Sequence, residues 1–347
     1  MRKPVSVITG FLGAGKTTLL NKLLRDPAMA RSAVIINEFG EIGLDHLLVA
    51  KADENIIEMS SGCLCCTIRG DLADTITELL RARGDDFDRI VIETTGLADP
   101  APVLQTLMSH PELEPCVLLA EVITLVDAVN GLATLQAQAE AVKQIAVADR
   151  VVLSKRDLVD TVERQADLEK LLDEIKSLAP GAARLEQADA TASHLFGHGL
   201  YDAATKPEAV QKWLNVHGHH HHHHHHDVNR HGRDIRAFTA VTDAAMKPSA
   251  LSLFIELMTS YHGAKILRLK GLVKLQDDPS RPLVIHGVQH IIHAPERLAA
   301  WPDADHRSRL VVITRGVERE EIQGLLDAFT DPLTGEGVAM FDDTLKI

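Results

Sequence analysis

Residues 5–17 read VSVITGFLGAGKT, an apolar β-branched run that leads into a glycine-rich loop. The run predicts a buried strand, and the apolar spacing after Lys16 predicts a helix. The loop matches the pattern G-x-x-x-x-G-K-[S/T], in which backbone N–H groups and a helix N-terminus surround phosphate oxygens. We therefore expect a phosphate-binding loop. Its expected nucleotide contacts are Gly10, Gly13, Ala14, Gly15, Lys16, Thr17 and Thr18.

An acidic strand end is the second element that such a site needs. The run Arg89–Glu93 is apolar and ends in a carboxylate, and Gly96 follows three residues later. We expect Lys16 to reach the β- and γ-phosphates, Thr17 to ligate Mg²⁺ and Glu93 to hold the Mg²⁺ shell through water. The Gly96 N–H would sense the γ-phosphate. A purely structural glutamate at the strand end is the alternative.

The choice of base is expected to depend on the segment SKRD at 154–157, which follows a later apolar strand. It resembles the guanine-reading element N-K-x-D of GTPases. The Asp157 carboxylate can accept the two parallel hydrogen bonds that guanine offers and adenine does not. The Lys155 stem can cover the purine face, and Ser154 replaces the usual asparagine, which weakens one supporting hydrogen bond. The segment favours GTP over ATP.

Length and composition limit the remaining function classes. The chain has 347 residues, which suggests two domains, and 45% apolar with 24% charged residues is ordinary for a globular protein. Aromatic residues at 3% argue against base-stacking platforms, and a net charge of −13 argues against nucleic-acid or anionic-membrane partners. No apolar run approaches the ~18–20 residues of a membrane span. Without an export signal, we expect reduced cysteines and a cytoplasmic location.

Strands and helices alternate through the first half of the chain. The strands are continuously apolar, which indicates a parallel sheet with helices on both faces. We therefore predict an α/β fold, a doubly wound and mostly parallel sheet of the P-loop NTPase type. The predicted strands are Val5–Thr9, Ala33–Asn37, Arg89–Glu93, Val117–Val126 and Arg150–Ser154, and the predicted helices are Lys16–Arg25, Asp71–Arg83, Ala101–Ser109 and Val162–Leu178.

A His-rich stretch interrupts this pattern, because NVHGHHHHHHHHDVNRHGR cannot form a core. After it, a β-α-β-β-β-α pattern predicts a smaller α+β domain with one sheet backed by two helices. Within that domain, Pro282–Ile292 is predicted as one strand. The predicted boundaries are 1–214 for the P-loop domain, 215–233 for the linker, 234–330 for the second domain and 331–347 for the tail.

Three of the four cysteines, Cys63, Cys65 and Cys66, fall within four residues. Clustered thiolates suit a soft or borderline ion such as Zn²⁺ or Co²⁺. Because neighbouring positions cannot all face one ion, we expect two or three thiolates, with Glu38 or water completing the shell. Inert buried cysteines are one alternative. A redox pair of Cys63 and Cys66 is another, although that spacing normally belongs to a thioredoxin-like fold.

The histidine stretch is expected to be an accessory metal site. Neutral imidazoles bind Zn²⁺, Ni²⁺, Co²⁺ and Cu²⁺ with little discrimination, and a spacer without function is the alternative. Its position between two predicted domains favours a native segment over an expression tag. Three further histidines in the second domain, at 286, 290 and 293, are expected to be structural. The accessory ligands are His217, His219, His220, His221, His222, His223, His224, His225, His226 and His231.

Five segments occur here in one order: GFLGAGKT at 10–17, NEFGEIGLD at 37–45, GCLCC at 62–66, ETTGLADP at 93–100 and SKRD at 154–157. With the His-rich stretch before a small C-terminal domain, they resemble the CobW-like family of P-loop GTPases over nearly the whole chain. The resemblance implies a GTPase that carries a metal on the C-x-C-C thiolates and delivers it to a client metalloprotein. It also implies a ferredoxin-like C-terminal domain. Zinc is the expected cargo; cobalt, for cobalamin synthesis or nitrile hydratase activation, is the alternative.

Nucleotide state can move the thiolates, because the cysteines lie between the phosphate loop and Glu93 in the chain. GTP with Mg²⁺ would assemble the metal site, and hydrolysis would release the ion. Since no glutamine stands beside Gly96 to orient water, we expect slow hydrolysis. The sequence is also compatible with a P-loop phosphotransferase that has a structural zinc site, and with a non-catalytic metal store. A homo-oligomer is compatible with it as well.

Overall fold

The computed structural model describes residues 2–37, 56–58, 64–67, 71–196 and 235–330. The chain divides into two compact units, Met1–Ala209 and Val210–Ile347. Glu38, Cys63, the predicted linker with all its histidines and the predicted tail lie outside the described residues. Within the described residues, every helix is too short or too polar to cross a membrane.

One eight-stranded sheet forms the centre of the first unit. Its strands are β1 (Lys3–Gly10), β2 (Ser32–Asn37), β3 (Ile56–Glu58), β4 (Leu64–Thr67), β5 (Arg89–Thr94), β6 (Val117–Asp127), β7 (Arg150–Ser154) and β8 (Ala183–Glu186). Their spatial order is β3-β4-β2-β5-β1-β6-β7-β8. Only the β3–β4 pair is antiparallel among these strands; the other neighbours run parallel. The predicted mostly parallel α/β sheet is confirmed.

Helices connect these strands and bury them. The described helices of this unit are α1 (Lys16–Leu23), α2 (Leu72–Arg83), α3 (Ala101–Ser109), α4 (Gly131–Ala137), α5 (Ala139–Ala146), α6 (Val162–Leu178) and α7 (Ala192–Leu195). In the central strand β1, the consecutive residues Val7, Ile8 and Thr9 are all fully buried. Since successive side chains of a strand face opposite sides, both faces of the sheet are covered. Parallel strands also place their carboxyl ends, and the loops that follow, at one edge.

The second unit is an antiparallel sheet with two helices. It consists of β9 (Ile235–Thr242), α8 (Pro248–His262), β10 (Ile266–Val273), β11 (Leu283–Val288), β12 (Ile291–Ile292), β13 (Glu296–Arg297), β14 (Ser308–Arg315) and α9 (Arg319–Thr330). The strand order is β12-β11-β10-β14-β9, with β13 paired to β11. Phe254 of α8 and Leu326 of α9 share one buried cluster with Leu269 and Val312 of the sheet. Both helices therefore pack on one face, and the predicted α+β class is confirmed.

The single strand predicted over Pro282–Ile292 is divided into β11 and β12. Gln289 has a φ of 54° and turns the chain back on itself. Val288 then pairs with Ile291, so the two strands form a tight hairpin. No signal in the sequence indicates this turn, because the residues at the turn, Gln289 and His290, are neither Pro nor Asn-Gly. His286 and His293 stack at 4.6 Å between ring centroids, and both are buried.

Candidate functional site

The predicted phosphate loop joins β1 to α1 at the carboxyl edge of the sheet. Gly15, which precedes α1, has a φ of 93°, a left-handed conformation that favours glycine over other residues. The Lys16 side chain is buried, and its Nζ donates a hydrogen bond of 2.9 Å to the Gly10 carbonyl. The ammonium group thus lies inside the loop, where the sequence predicts the β- and γ-phosphates.

The end of β5 brings Glu93 beside the phosphate loop. In the parallel β1–β5 ladder Ile8 pairs with Glu93, so both strands reach the site at the same level. The Thr17 hydroxyl donates a hydrogen bond of 3.2 Å to Glu93 Oε1. A hydroxyl and a buried carboxylate are hard oxygen donors of the kind that Mg²⁺ prefers. The two residues predicted to hold Mg²⁺ therefore fit that ion.

The segment after β5 lies directly against the phosphate loop. A Cβ placed on Gly96 would come within 2.7 Å of the Leu12 backbone nitrogen, so only glycine fits without displacement. On its other side, Gln144 of α5 donates hydrogen bonds of 3.1 Å to the carbonyls of Gly96 and Ala98. No motif in the sequence indicates Gln144, because it lies 48 positions beyond Gly96 in the short helix AEAVKQIA. Its side chain is buried, and its amide nitrogen is committed to these two carbonyls.

The residues predicted to choose the base follow β7. Ser154 is fully buried, and Lys155 has a φ of 54°. The Lys155 ammonium forms an ion pair with Asp127 at 2.8 Å. Burial opposes ionisation of Asp127, but hydrogen bonds from Lys155, Asn130 and two backbone N–H groups outweigh it and hold the pKa of Asp127 below its ordinary value. Asp157 is exposed at the start of the next turn, with its carboxylate accessible to a base.

A further loop, which the sequence reasoning missed, borders the same site. The Gln187 side chain donates a hydrogen bond of 3.4 Å to the Gly15 carbonyl. Lys22 of α1 donates to the carbonyls of Gln187 and Ala188, at 2.9 and 2.6 Å. This loop follows β8, a largely exposed edge strand whose sequence ARLE has no apolar run. Four loops that are far apart in sequence, those after β1, β5, β7 and β8, therefore border the site.

The predicted cargo site can be placed only by its backbone. Cys65 and Cys66 lie in β4, next to β2, while their side chains, Cys63 and Glu38 lie outside the described residues. Cys66 pairs with Ile35, and Ile35 pairs with Ile92, the residue before Glu93. Among the side chains that are described, no cluster of three or more His, Cys, Asp or Glu could hold a metal ion.

Comparison with known proteins agrees with this architecture. Residues 4–183 match the model of the CobW/HypB/UreG nucleotide-binding domain, and residues 235–330 match the cobalamin synthesis protein cobW C-terminal domain. The zinc chaperone YjiA of Escherichia coli is 33% identical over 322 residues, covering 92% of this chain and 96% of YjiA. The zinc chaperone CobW of a Sinorhizobium species is 30% identical, covering 89% of this chain and 92% of its own.

A solved structure supports the same relationship. The crystal structure of Zn(II)-bound YjiA GTPase from E. coli matches with a TM-score of 0.70 at 29% identity. The match covers 95% of this chain and 100% of the YjiA chain. These findings confirm the family inferred from the motifs. The chain belongs to the CobW/HypB/UreG family of nucleotide-binding proteins and carries the C-terminal domain of CobW.

Proposed function

We propose that this protein is a GTP-hydrolysing metallochaperone that carries zinc on Cys63, Cys65 and Cys66 and delivers it to a client metalloprotein. The observation that carries the proposal is the row Cys66–Ile35–Ile92 across three parallel strands. That row links the cysteine strand to β5, which carries Glu93 next to its end, so a change of nucleotide state at Glu93 has a short structural route to the cargo site. The names of the zinc chaperone relatives support zinc as the cargo.

The chemistry at the nucleotide follows from the residues at the carboxyl edge. Lys16 would neutralise charge on the β- and γ-phosphates, and the Gly96 N–H would donate to the γ-phosphate. Thr17 and Glu93 would hold Mg²⁺, which supplies further charge neutralisation. No glutamine is placed to orient water among the described residues around Gly96. Hydrolysis of GTP to GDP and phosphate is therefore slow unless a partner assists.

Base selection in this proposal belongs to Asp157 and its surroundings. The Asp157 carboxylate would accept both hydrogen bonds from the guanine edge, and an adenine would leave it unpaired. The Lys155–Asp127 ion pair joins the residue two positions before Asp157 to the end of β6. We also propose that the Gln187–Ala188 loop borders the base, since a Cβ on Gly15 would lie 3.6 Å from both the Gln187 side chain and Ser154.

Cargo release would follow hydrolysis. The cysteine thiolates, together with Glu38, would form a complete ligand set when GTP and Mg²⁺ hold the end of β5 in place. Loss of the γ-phosphate would remove its contact with the Gly96 N–H and loosen that set. Thiolate chemistry requires reduced cysteines, and so we place the protein in the cytoplasm. The His-rich stretch would bind additional metal without taking part in hydrolysis.

A transfer experiment tests this proposal. Zinc-loaded protein is mixed with GTP, Mg²⁺ and a fluorescent zinc chelator, and release is compared with that in a non-hydrolysable GTP analogue. We expect release at the rate of hydrolysis with GTP and much slower release with the analogue. Equal release rates in both nucleotides would remove the link between hydrolysis and delivery.

A further inference from the structure

Two residues near the carboxyl end of α5 bind the segment that follows Glu93. Gln144 is 1% exposed, and its Nε2 atom donates to the carbonyls of both Gly96 and Ala98 at 3.1 Å. One amide group thus fixes two carbonyls that are two residues apart. Because each carbonyl belongs to a different peptide plane, the backbone conformation between Gly96 and Ala98 is held from one side.

A second anchor comes from the preceding residue of α5. Lys143 forms an ion pair of 2.6 Å with Asp99, in which the two side chains are 24% and 28% exposed. Asp99 also accepts a hydrogen bond of 3.0 Å from the Ala101 N–H at the start of α3. The segment is therefore held at both of its ends, by a buried amide near Gly96 and by a partly exposed ion pair at Asp99.

The helix that carries these anchors is itself tied to the frame of the phosphate loop. The Thr124 hydroxyl donates a buried hydrogen bond of 2.7 Å to the Gln144 carbonyl. Thr124 lies in β6, where it pairs with Thr9 of β1, immediately before the loop begins. Gln144 therefore links Gly96, through Thr124, to β1, the strand from which the phosphate loop starts.

Gly96 is confined between Gln144 and the phosphate loop. A Cβ on Gly96 would come within 2.8 Å of Leu12 Cα as well as 2.7 Å of its nitrogen. We propose that Gln144 is a positioning residue: it holds the Gly96 peptide at the distance from the phosphate loop that a γ-phosphate requires, and so sets the preference for GTP over GDP. This inference rests on the proposed GTPase function. Gln144 acts through Gly96 and does not touch the nucleotide.

The surroundings of Gln144 allow its positioning role to be tested by a substitution that we expect to preserve the fold. Its Oε1 atom is buried and accepts no hydrogen bond from the described part of the chain. Gln144 also lines a cavity of about 280 Å³ beside the phosphate loop, together with Leu12 and Ile145. Methionine has nearly the same length and volume, and it removes an unpaired acceptor together with the two donated bonds. Removing an unpaired buried acceptor offsets part of the cost of the lost bonds.

The test compares Gln144→Met with the wild type and with Gln136→Met, a change of the same type at an exposed position on α4. Affinities for GDP and for a non-hydrolysable GTP analogue, single-turnover hydrolysis and thermal unfolding are measured for each. For Gln144→Met we expect GDP affinity within about twofold of wild type, and analogue affinity and turnover each lower by about tenfold, which corresponds to about 1.4 kcal/mol. Lys143→Met is expected to shift the same two quantities less, because its ion pair is partly exposed.

The outcomes separate this inference from the function on which it rests. Equal losses of GDP and analogue affinity, or no loss of either, would overturn the positioning role while wild-type hydrolysis stands. A wild type that binds GDP and the analogue equally and does not hydrolyse GTP would overturn the proposed function, and the positioning role with it. A selective loss in Gln144→Met that is absent from Gln136→Met supports the inference.

Discussion

The Thr17 hydroxyl donates a hydrogen bond of 3.2 Å to the Glu93 carboxylate, across 76 positions of sequence. This contact joins the first turn of α1 to the end of β5, the two elements that a nucleoside triphosphate with Mg²⁺ would bridge. It forms because β1 and β5 are parallel neighbours with Ile8 opposite Glu93. The sheet and α1 therefore place both oxygen atoms side by side.

Replacement of Lys16 should stop hydrolysis. Lys16→Ala removes the buried ammonium that the loop encloses. We expect turnover to fall by about 10²–10³-fold, the usual effect of losing one placed electrostatic group. GTP turnover by phosphate release is the measurement, and Lys170→Ala on the exposed face of α6 is the control. Near-normal turnover in Lys16→Ala would show that the loop does not serve the γ-phosphate.

Base preference should depend on Asp157. Asp157→Asn removes the paired acceptor, so the ratio of GTP to ATP affinity should fall by about tenfold or more. Asp160→Asn is the matched control, because Asp160 is also exposed and pairs with Arg164 instead. Titration of both nucleotides into each variant gives the ratio. If the wild type binds ATP and GTP equally, the assignment of Asp157 is wrong.

The space around Gly96 and around Gly324 predicts opposite effects when each is replaced by alanine. Gly96→Ala must push the segment away from the phosphate loop, since its Cβ would lie 2.7 Å from the Leu12 nitrogen. We expect loss of GTP turnover with GDP binding retained. Gly324→Ala in α9 meets nothing within 4 Å and should stabilise the protein by about 0.5–1 kcal/mol. Turnover and chemical unfolding of both variants check this pair, and normal turnover in Gly96→Ala would contradict it.

The His-rich stretch should be dispensable for hydrolysis. Deletion of His219–His226 removes imidazoles that lie outside every nucleotide-binding segment of the sequence. We expect unchanged GTP turnover and the loss of several weak metal equivalents, measured by zinc titration of full-length and deleted protein. A large fall in turnover on deletion would place the stretch in the catalytic unit.

Much of the first unit could be predicted from sequence because the patterns that determine its elements lie within short stretches of the chain. Buried parallel strands are continuously apolar, so β7 and β5 are found within a residue of their predicted limits. The strand–loop–helix context around Lys16 and the acidic end of β5 predict the phosphate edge in the same way. These elements need no knowledge of distant contacts.

The sequence did not predict the elements that are stabilised by contacts with residues far away in the chain. Helices α4 and α5 have only seven and eight residues, which is too short for a helical period to stand out in the sequence. The edge strand β8 is mostly exposed and has no apolar run. Gln144 and Gln187 reach the site across 48 and 172 positions, and no short motif marks either. Their roles depend on topology.

The central claim is that nucleotide state and cargo affinity are coupled. If Cys63, Cys65 and Cys66 bind the cargo, GTP with Mg²⁺ should raise metal affinity over GDP, and metal should raise GTP affinity by the same factor. A typical coupling of about 1–3 kcal/mol sets the expected size. Cys65→Ala should abolish the difference, whereas Cys116→Ala, an exposed cysteine outside the cluster, should preserve it.

The most direct measurement is a Co²⁺ titration followed by thiolate charge-transfer absorption, in the presence of GTP with Mg²⁺ and again with GDP. We predict a charge-transfer band and tighter binding in the GTP form, and neither the band nor the tighter binding in the GDP form. One affinity and one spectrum in both nucleotide states would contradict the coupling, and would leave a GTPase with a structural metal site.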